Sequence, residues 1–405
     1  MMELDYLKLA RLAQEYGDSF YLLDSRLYEE NYCEMLSAFR KYYPDVHIAY
    51  SYKTNYTPKL CNIINKLGGY AEVVSEMELE LALRLGVKPA NIYYNGPYKK
   101  ESYIEELMLK GGYINIDADY EIAIVAEIAK RYRDKNFAVG VRYNMDIGQD
   151  SPSRFGIPKE ELRCAVERLN GISNIHVAGL HCHLPFRSLE SFQNRIENLK
   201  HLLQGEMKDY VWSYISLGGG YMGKVSEELA GQFSFNPPTY DDYAETVAGG
   251  MAELYQNCAE KPKLIIEPGS ALVANTMSFV TRVVNIKTVR GKAIATLSGS
   301  TYNMNPSVKN VKRPITVYSD KKSQKYQNLD MAGYTCIESD YLYKDYSGPL
   351  SVGDFVVFHN VGSYSIVMKP PFILPDVPIL EQEDGKICAI KKRQDIKNIF
   401  IDFIQ

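Results

Sequence analysis

The chain lacks a surplus of positive charge, an apolar run long enough to span a bilayer, and a paired cysteine framework, and each absence removes a class of function. Its 46 lysines and arginines stand against 50 aspartates and glutamates, a formal net charge of -4. There is thus no basic footprint, and no nucleic-acid partner is expected. No membrane partner is expected either. No N-terminal run combines a charged start with an apolar core, so a cytoplasmic location is expected. The seven cysteines are odd in number and widely scattered, which suits a reducing compartment. None falls at a metal-ligand spacing, so no metal is expected. Internal repeats, low-complexity tracts and linkers longer than a loop are also missing. What remains is an ordinary globular composition, 46% hydrophobic and 24% charged, in a chain of 405 residues. That length is too great for one core and predicts a large domain with a smaller one. The expected partner is a small molecule.

Short β-rich runs alternate with longer segments of helical character. The runs are "VHIAY" (46–50), "YAEVV" (70–74), "NIYYN" (91–95), "GYINI" (112–116), "FAVGVRY" (137–143), "IHVAGLH" (175–181), "VWSYISL" (211–217) and "KLIIE" (263–267). Between the second and third, "SEMELELALRLG" opens with a Ser75/Glu78 capping box and stops at Gly86, which predicts a helix. Eight strands separated by helices predict an α/β chain with a (β/α)8 barrel, a doubly wound open sheet being the alternative. Beyond residue 278 the rhythm changes to "FVTRVVNIKTV", "AIATL", "RPITVY", "DFVVF" and "YSIVM", without helical spacers. The expected domains are therefore a barrel over 25–277 and an antiparallel β domain over 278–405 that also takes in 1–24.

Barrel enzymes carry their chemistry at the C-terminal ends of the strands. Here those positions hold Lys53, Glu72, Asn95, Asp117, Asn144, His181, His183, Gly218 to Gly220, and Glu267. Each has a bland reading: a lone lysine after a strand is usually solvated, a histidine can be a satisfied core residue, and a triple glycine can be a loose turn. A carboxylate ending a buried strand, however, is costly without a partner, and glycines directly after an apolar strand let backbone N–H groups approach an anion. One chemistry uses them all: pyridoxal 5'-phosphate held as a Schiff base on a lysine. Lys53 would carry the cofactor, the glycines its phosphate, a histidine would cover the ring, and Glu267 would meet the pyridine nitrogen.

With these residues in view the chain resembles the barrel-fold pyridoxal-phosphate decarboxylases, the group of diaminopimelate and ornithine decarboxylases that shares a fold with alanine racemase. "YSYKTN", "GLHCHLPF", "SLGGGY", "EPGS", "TCIESD" and "GDFVVFHNVGSYS" match its motifs in order, from about residue 20 to about 370. The resemblance implies that Lys53 is the Schiff-base lysine, that Glu72 is the acidic residue beside the cofactor, and that His183 stacks on its ring. It implies that Gly218, Gly219 and Gly220 bind the phosphate with Tyr364, and that Glu267 pairs with the ring nitrogen. It also implies that Cys336 donates a proton across the interface of a head-to-tail homodimer with shared active sites. A carboxylate at the ring nitrogen favours decarboxylation over racemisation, because it keeps the ring a strong electron sink.

The chain departs from the family pattern where the family grips the far end of its substrate. Ile337, followed by Glu338, stands where an acidic residue usually follows the cysteine, and Ser270 replaces the usual arginine after "EPG". Pro185 and Phe186 replace the glycine–serine after the stacking histidine, where Ser188 is a candidate substitute. These departures predict a substituted or conjugated α-amino acid rather than diaminopimelate or ornithine. Arg187, Lys309, Lys312 and Arg313 are candidate cations for a distal anion. An amino-acid racemase of the same fold and a non-catalytic decarboxylase-like regulator are the alternatives.

Overall fold

In the computed structural model, which describes residues 4–304, 311–369, 371–383 and 386–403, the eight expected runs form a closed parallel barrel. Its strands are Val46–Ser51, Tyr70–Val73, Ile92–Tyr94, Tyr113–Ile116, Phe137–Arg142, Ile175–His181, Tyr214–Ser216 and Lys263–Ile266, in that order around the barrel. Each is buried on both faces, as a parallel strand covered by helices must be. The barrel closes by pairing Val46 with Leu264 and Ile48 with Ile266.

The barrel interior is unusually rich in tyrosine. Tyr70, Tyr93 and Tyr214 pack with Ala49, Ala178 and Ile265, so large rings face small residues across the layer. The Tyr93 ring stacks on Tyr113 at 5.1 Å and meets Tyr214 edge-on at 4.9 Å.

The helix after the second strand runs Glu76–Arg84, with Ser75 accepting the Glu78 N–H. The expected capping box is modified: the Glu78 carboxylate reaches back to the Val74 N–H at 2.8 Å, one residue before the cap. After the third strand, Lys99 is fully buried on Glu121, 2.8 and 2.9 Å from its two oxygens, and also donates to the Gly96 carbonyl. This pair ties the loop that follows Asn95 to the helix Asp119–Arg131.

The second unit comprises the chain up to Tyr28, Lys224–Ser234 and everything from Leu272 on. The excursion Lys224–Ser234, read from sequence as part of the barrel, clusters with this unit instead. Its core joins Leu9, Leu12 and Ala13 of the helix Tyr6–Tyr16 to Phe20, Val280, Phe355, Val357 and Leu380. The sheet is mixed rather than antiparallel. Phe20–Leu23 runs antiparallel to the start of Met277–Val289 but parallel to Ile379–Glu383, and Lys292–Leu297 runs parallel to Gln324–Ala332. Strands brought together from distant parts of the chain are not held to hairpin geometry. "YSIVM" is not a strand either. Tyr364 adopts a left-handed φ of 62°, and Ser365–Met368 follows as a helical turn whose Ser365 hydroxyl donates to the Met304 carbonyl at 2.9 Å. Tertiary context there overrides the β propensity of Ile and Val.

Lys99→Met leaves a buried charge on Glu121 and is expected to destabilise the protein by roughly 3–5 kcal/mol. Adding Glu121→Gln, whose amide oxygen can still accept the Asp117 N–H, should recover most of that loss. Denaturant unfolding of the single and double variants checks this, and equal losses in both would contradict a desolvated ion pair.

Candidate active site

At the C-terminal mouth of the barrel, strand register sets the first contacts. Ser51 and Glu72 are cross-strand partners, so their side chains share a face, and the Ser51 hydroxyl donates to Glu72 Oε2 at 2.5 Å. The chain leaves Ser51 in a tight turn, Tyr52–Thr54, which carries Lys53 over the same carboxylate, its Nζ 2.5 Å from Oε2. Glu72 is buried, whereas the Lys53 side chain keeps 33% exposure and remains reachable from the mouth. Asn95, just past the third strand, donates to Glu72 Oε1 and to Glu267 Oε1, both at 3.1 Å. One amide thus bridges two buried carboxylates.

Glu267 directly follows the eighth strand. His181 and Ser216 are register partners on the two preceding strands, and both reach it, His181 Nε2 at 3.2 Å and the Ser216 hydroxyl at 2.8 Å. Burial opposes ionisation of Glu267, but the hydrogen-bonded His181 imidazole, with Lys53 behind it, outweighs that cost and holds the carboxyl well below its ordinary range.

The three glycines form a wall of bare backbone. A Cβ on Gly218 would lie 2.5 Å from the Cys182 carbonyl, one on Gly219 2.7 Å from the Glu267 carbonyl, and one on Gly220 2.8 Å from the Phe186 carbonyl. Gly218 and Gly220 also have φ of 63° and 100°, which side chains resist. Two of the three N–H groups are already committed. Gly218 donates to the Ser216 hydroxyl, and Gly219 donates to His183 Nδ1 at 2.8 Å. Among the described residues the Gly220 N–H has no such bond. Burial, with Lys53 and Arg142 nearby, pushes the His183 pKa well below its ordinary value, in keeping with a neutral ring whose Nδ1 accepts.

Two arginines that the sequence did not single out lie beside this wall. Arg142 pairs with Asp117 at 3.1 Å inside the barrel mouth. Arg195, buried and stacked on Phe192, donates to the carbonyls of Leu184, Phe186 and Gly219. It thereby fastens the loop after His183 to the glycine segment.

The family model described as "Pyridoxal-dependent decarboxylase, pyridoxal binding domain" matches residues 30–274. The chain belongs to this family. Diaminopimelate decarboxylase of Aquifex aeolicus (strain VF5) is 25% identical over 97% of this chain and 93% of its own length. L-glutamyl-[BtrI acyl-carrier protein] decarboxylase of Niallia circulans is 26% identical over 100% of this chain and 98% of its own. The structure of diaminopimelate decarboxylase from M. jannaschii in co-complex with L-lysine superposes with a TM-score of 0.87 at 22% identity, covering 98% and 94% of the two chains, a likeness of fold. The protein is a pyridoxal-phosphate-dependent amino-acid decarboxylase. The residues present fit that cofactor: a reachable lysine, a buried ionised carboxylate and a side-chain-free backbone wall meet at one barrel mouth.

Ser270 opens the short helix Ser270–Val273. Ser188, a candidate phosphate ligand, instead caps the helix Leu189–Gln204 by accepting the Ser191 N–H. Arg187 is half-buried, and its carbonyl accepts from the Tyr243 hydroxyl. In the second unit, Cys336 and Glu338 are exposed and Ile337 is half-buried. Their loop is knotted by buried Asp340, which accepts from Thr335, Ser300 and the Thr301 N–H. Tyr364 is half-buried in its left-handed conformation. Arg313 donates to the Asn360 carbonyl, and burial lowers its pKa to about 10. Lys312 is exposed, 5.7 Å from the Tyr343 ring centre. Lys309 lies outside the described residues.

Glu78 adds a pH-sensitive element behind Glu72. Burial pushes its carboxyl up to about 7 from an ordinary 4.5, against the Val74 N–H bond that favours the charged form. A folded-state carboxyl pKa above the unfolded value favours the protonated form. Its stability contribution is therefore full at low pH and is lost as pH rises from about 4.5 through about 7. The change amounts to roughly 3 kcal/mol. Glu78→Gln, neutral throughout, is expected to lose less stability than wild type between about pH 5 and about pH 8. Identical pH profiles in denaturant unfolding would contradict this.

Proposed function

We propose that this decarboxylase acts on an α-amino acid whose side chain is substituted or conjugated, rather than on diaminopimelate or ornithine. The observation that carries this reading is the pair of lost grips: Ile337 follows Cys336 where the family resemblance leads one to expect an acid, and Ser270 stands where it leads one to expect arginine. A relative named for an amino acid carried on an acyl-carrier protein supports the same direction, although the diaminopimelate enzymes match at similar identity.

In this reading Lys53 holds the cofactor, and Glu72, in contact with its Nζ, keeps the amine in place. Glu267, ionised and fixed by His181, Ser216 and Asn95, would meet the ring nitrogen with its negative charge. His183, its orientation set by the Gly219 N–H, would cover the ring as a neutral imidazole. Gly220 is the member of the triple glycine best placed to donate to the phosphate, with Tyr364 as a further contact. When bound, pyridoxal phosphate supplies the sink for the electron pair left as CO2 departs. Cys336 of a second copy, in a head-to-tail homodimer, delivers the proton to the α carbon from its exposed thiol.

The test is a panel of amino acids assayed for CO2 release alongside the visible spectrum of the protein. Wild type is expected to show the absorbance of lysine-bound pyridoxal phosphate and Lys53→Ala to lose both colour and turnover. Brisk release of CO2 from meso-diaminopimelate would contradict the substrate reading, and a coloured, fully active Lys53→Ala would contradict the lysine.

A further inference from the structure

Between the tyrosine core of the barrel and its catalytic mouth runs a buried polar chain with a single workable direction. A carboxylate can only accept hydrogen bonds, so Asn95 must turn its NH2 toward Glu72 and Glu267, as it does. The Asn95 carbonyl oxygen then faces Asn115, which must offer its own NH2, at 2.7 Å. That leaves the Asn115 oxygen to accept, and the Tyr214 hydroxyl donates to it at 2.6 Å. Tyr214, Asn115, Asn95 and both glutamates are buried. Burial raises the Tyr214 pKa well above its ordinary value, so the hydroxyl keeps the proton it donates.

A second observation shows that the barrel is built around this chain. Gly140 and Gly179 sit inside the fifth and sixth strands, where glycine costs strand stability. A Cβ at Gly140 would lie 2.0 Å from Asn115 Oδ1 and 2.1 Å from the Tyr214 hydroxyl, and one at Gly179 would lie 1.9 Å from the Tyr214 ring. The two glycines clear the volume in which the seventh strand's tyrosine reaches the fourth strand's asparagine.

We propose that Tyr214 and Asn115 are positioning residues that select the orientation of the Asn95 amide and so hold Glu72 and Glu267 as a fixed pair of carboxylates for cofactor binding. The inference rests on the assignment of Lys53 and Glu267 to the cofactor. Without the Tyr214 hydroxyl the Asn115 oxygen is buried without a donor. An Asn115 flip would set its oxygen against the Asn95 oxygen, and a matching Asn95 flip would point an oxygen at both carboxylates. The groups facing the pair are Lys53 and Ser51 on Glu72, and His181 and Ser216 on Glu267, with Glu78 behind Glu72 and His183 near Glu267. Losing a donor to a carboxylate raises its pKa, so the acid limit of cofactor retention should move to higher pH.

The experiment titrates pyridoxal phosphate into apo protein, following absorbance across a pH series, for wild type, Tyr214→Phe, Asn95→Ala and the double variant. Tyr214→Phe is expected to bind roughly tenfold more weakly, with its acid limit shifted upward. In the Asn95→Ala background the same change should add less than about twofold, because the link it acts through is gone. An unchanged affinity and acid limit in Tyr214→Phe, or the same loss in both backgrounds, would overturn the proposal. So would a Tyr214→Phe protein that fails to fold, which would make the role structural. If wild type itself binds no cofactor on Lys53, the functional reading fails rather than this inference.

Discussion

Two buried carboxylates sharing one amide organise the catalytic end of this barrel. Glu72 and Glu267 come from strands far apart in sequence, and a pair of like charges in a low-dielectric interior repel unless donors surround them. The protein meets that demand from every side, with Ser51 and Lys53 on one carboxylate, His181 and Ser216 on the other, and Asn95 between them. The lysine is held where a carbonyl cofactor can reach it, and the second carboxylate faces the mouth with its charge intact.

Much of this was legible in the sequence because parallel barrel strands are buried on both faces and read as continuous apolar runs. All eight strands were legible, and the barrel rule pointed to the residues at their ends. What could not be read was pairing across the barrel. His181 and Glu267 are 86 residues apart, and Tyr214 and Asn115 are 99 apart. Tyr214 and Asn115 look ordinary on their own strands, and only the curvature of the barrel brings them together. The glycines in "FAVGVRY" and "IHVAGLH" were the available signal, since a glycine in a buried strand marks a close approach. Arg195 left no comparable trace on its helix.

The second unit was less legible for a different reason. Gln324–Ala332 and Tyr341–Leu350 are largely exposed or half-buried along their length, so they carry little of the apolar pattern that marks a strand. The mixed pairing of the N-terminal strand depends on contacts between the two ends of the chain. "YSIVM" misled because its composition favours a strand while the backbone at Tyr364 turns left-handed. The barrel mouth holds the residues that the family resemblance leads one to expect at these positions, whereas Ile337 and Ser270 differ from that expectation.

The central claim is that Lys53 is the lysine to which the cofactor is joined. Borohydride reduction of the purified holoprotein, followed by peptide mapping, tests it directly, because reduction makes the lysine–cofactor bond permanent. A pyridoxyl tag on the peptide carrying Lys53 is the predicted result. A tag on another lysine, such as Lys99 beside Glu121, or no tag on a coloured protein, would contradict the account.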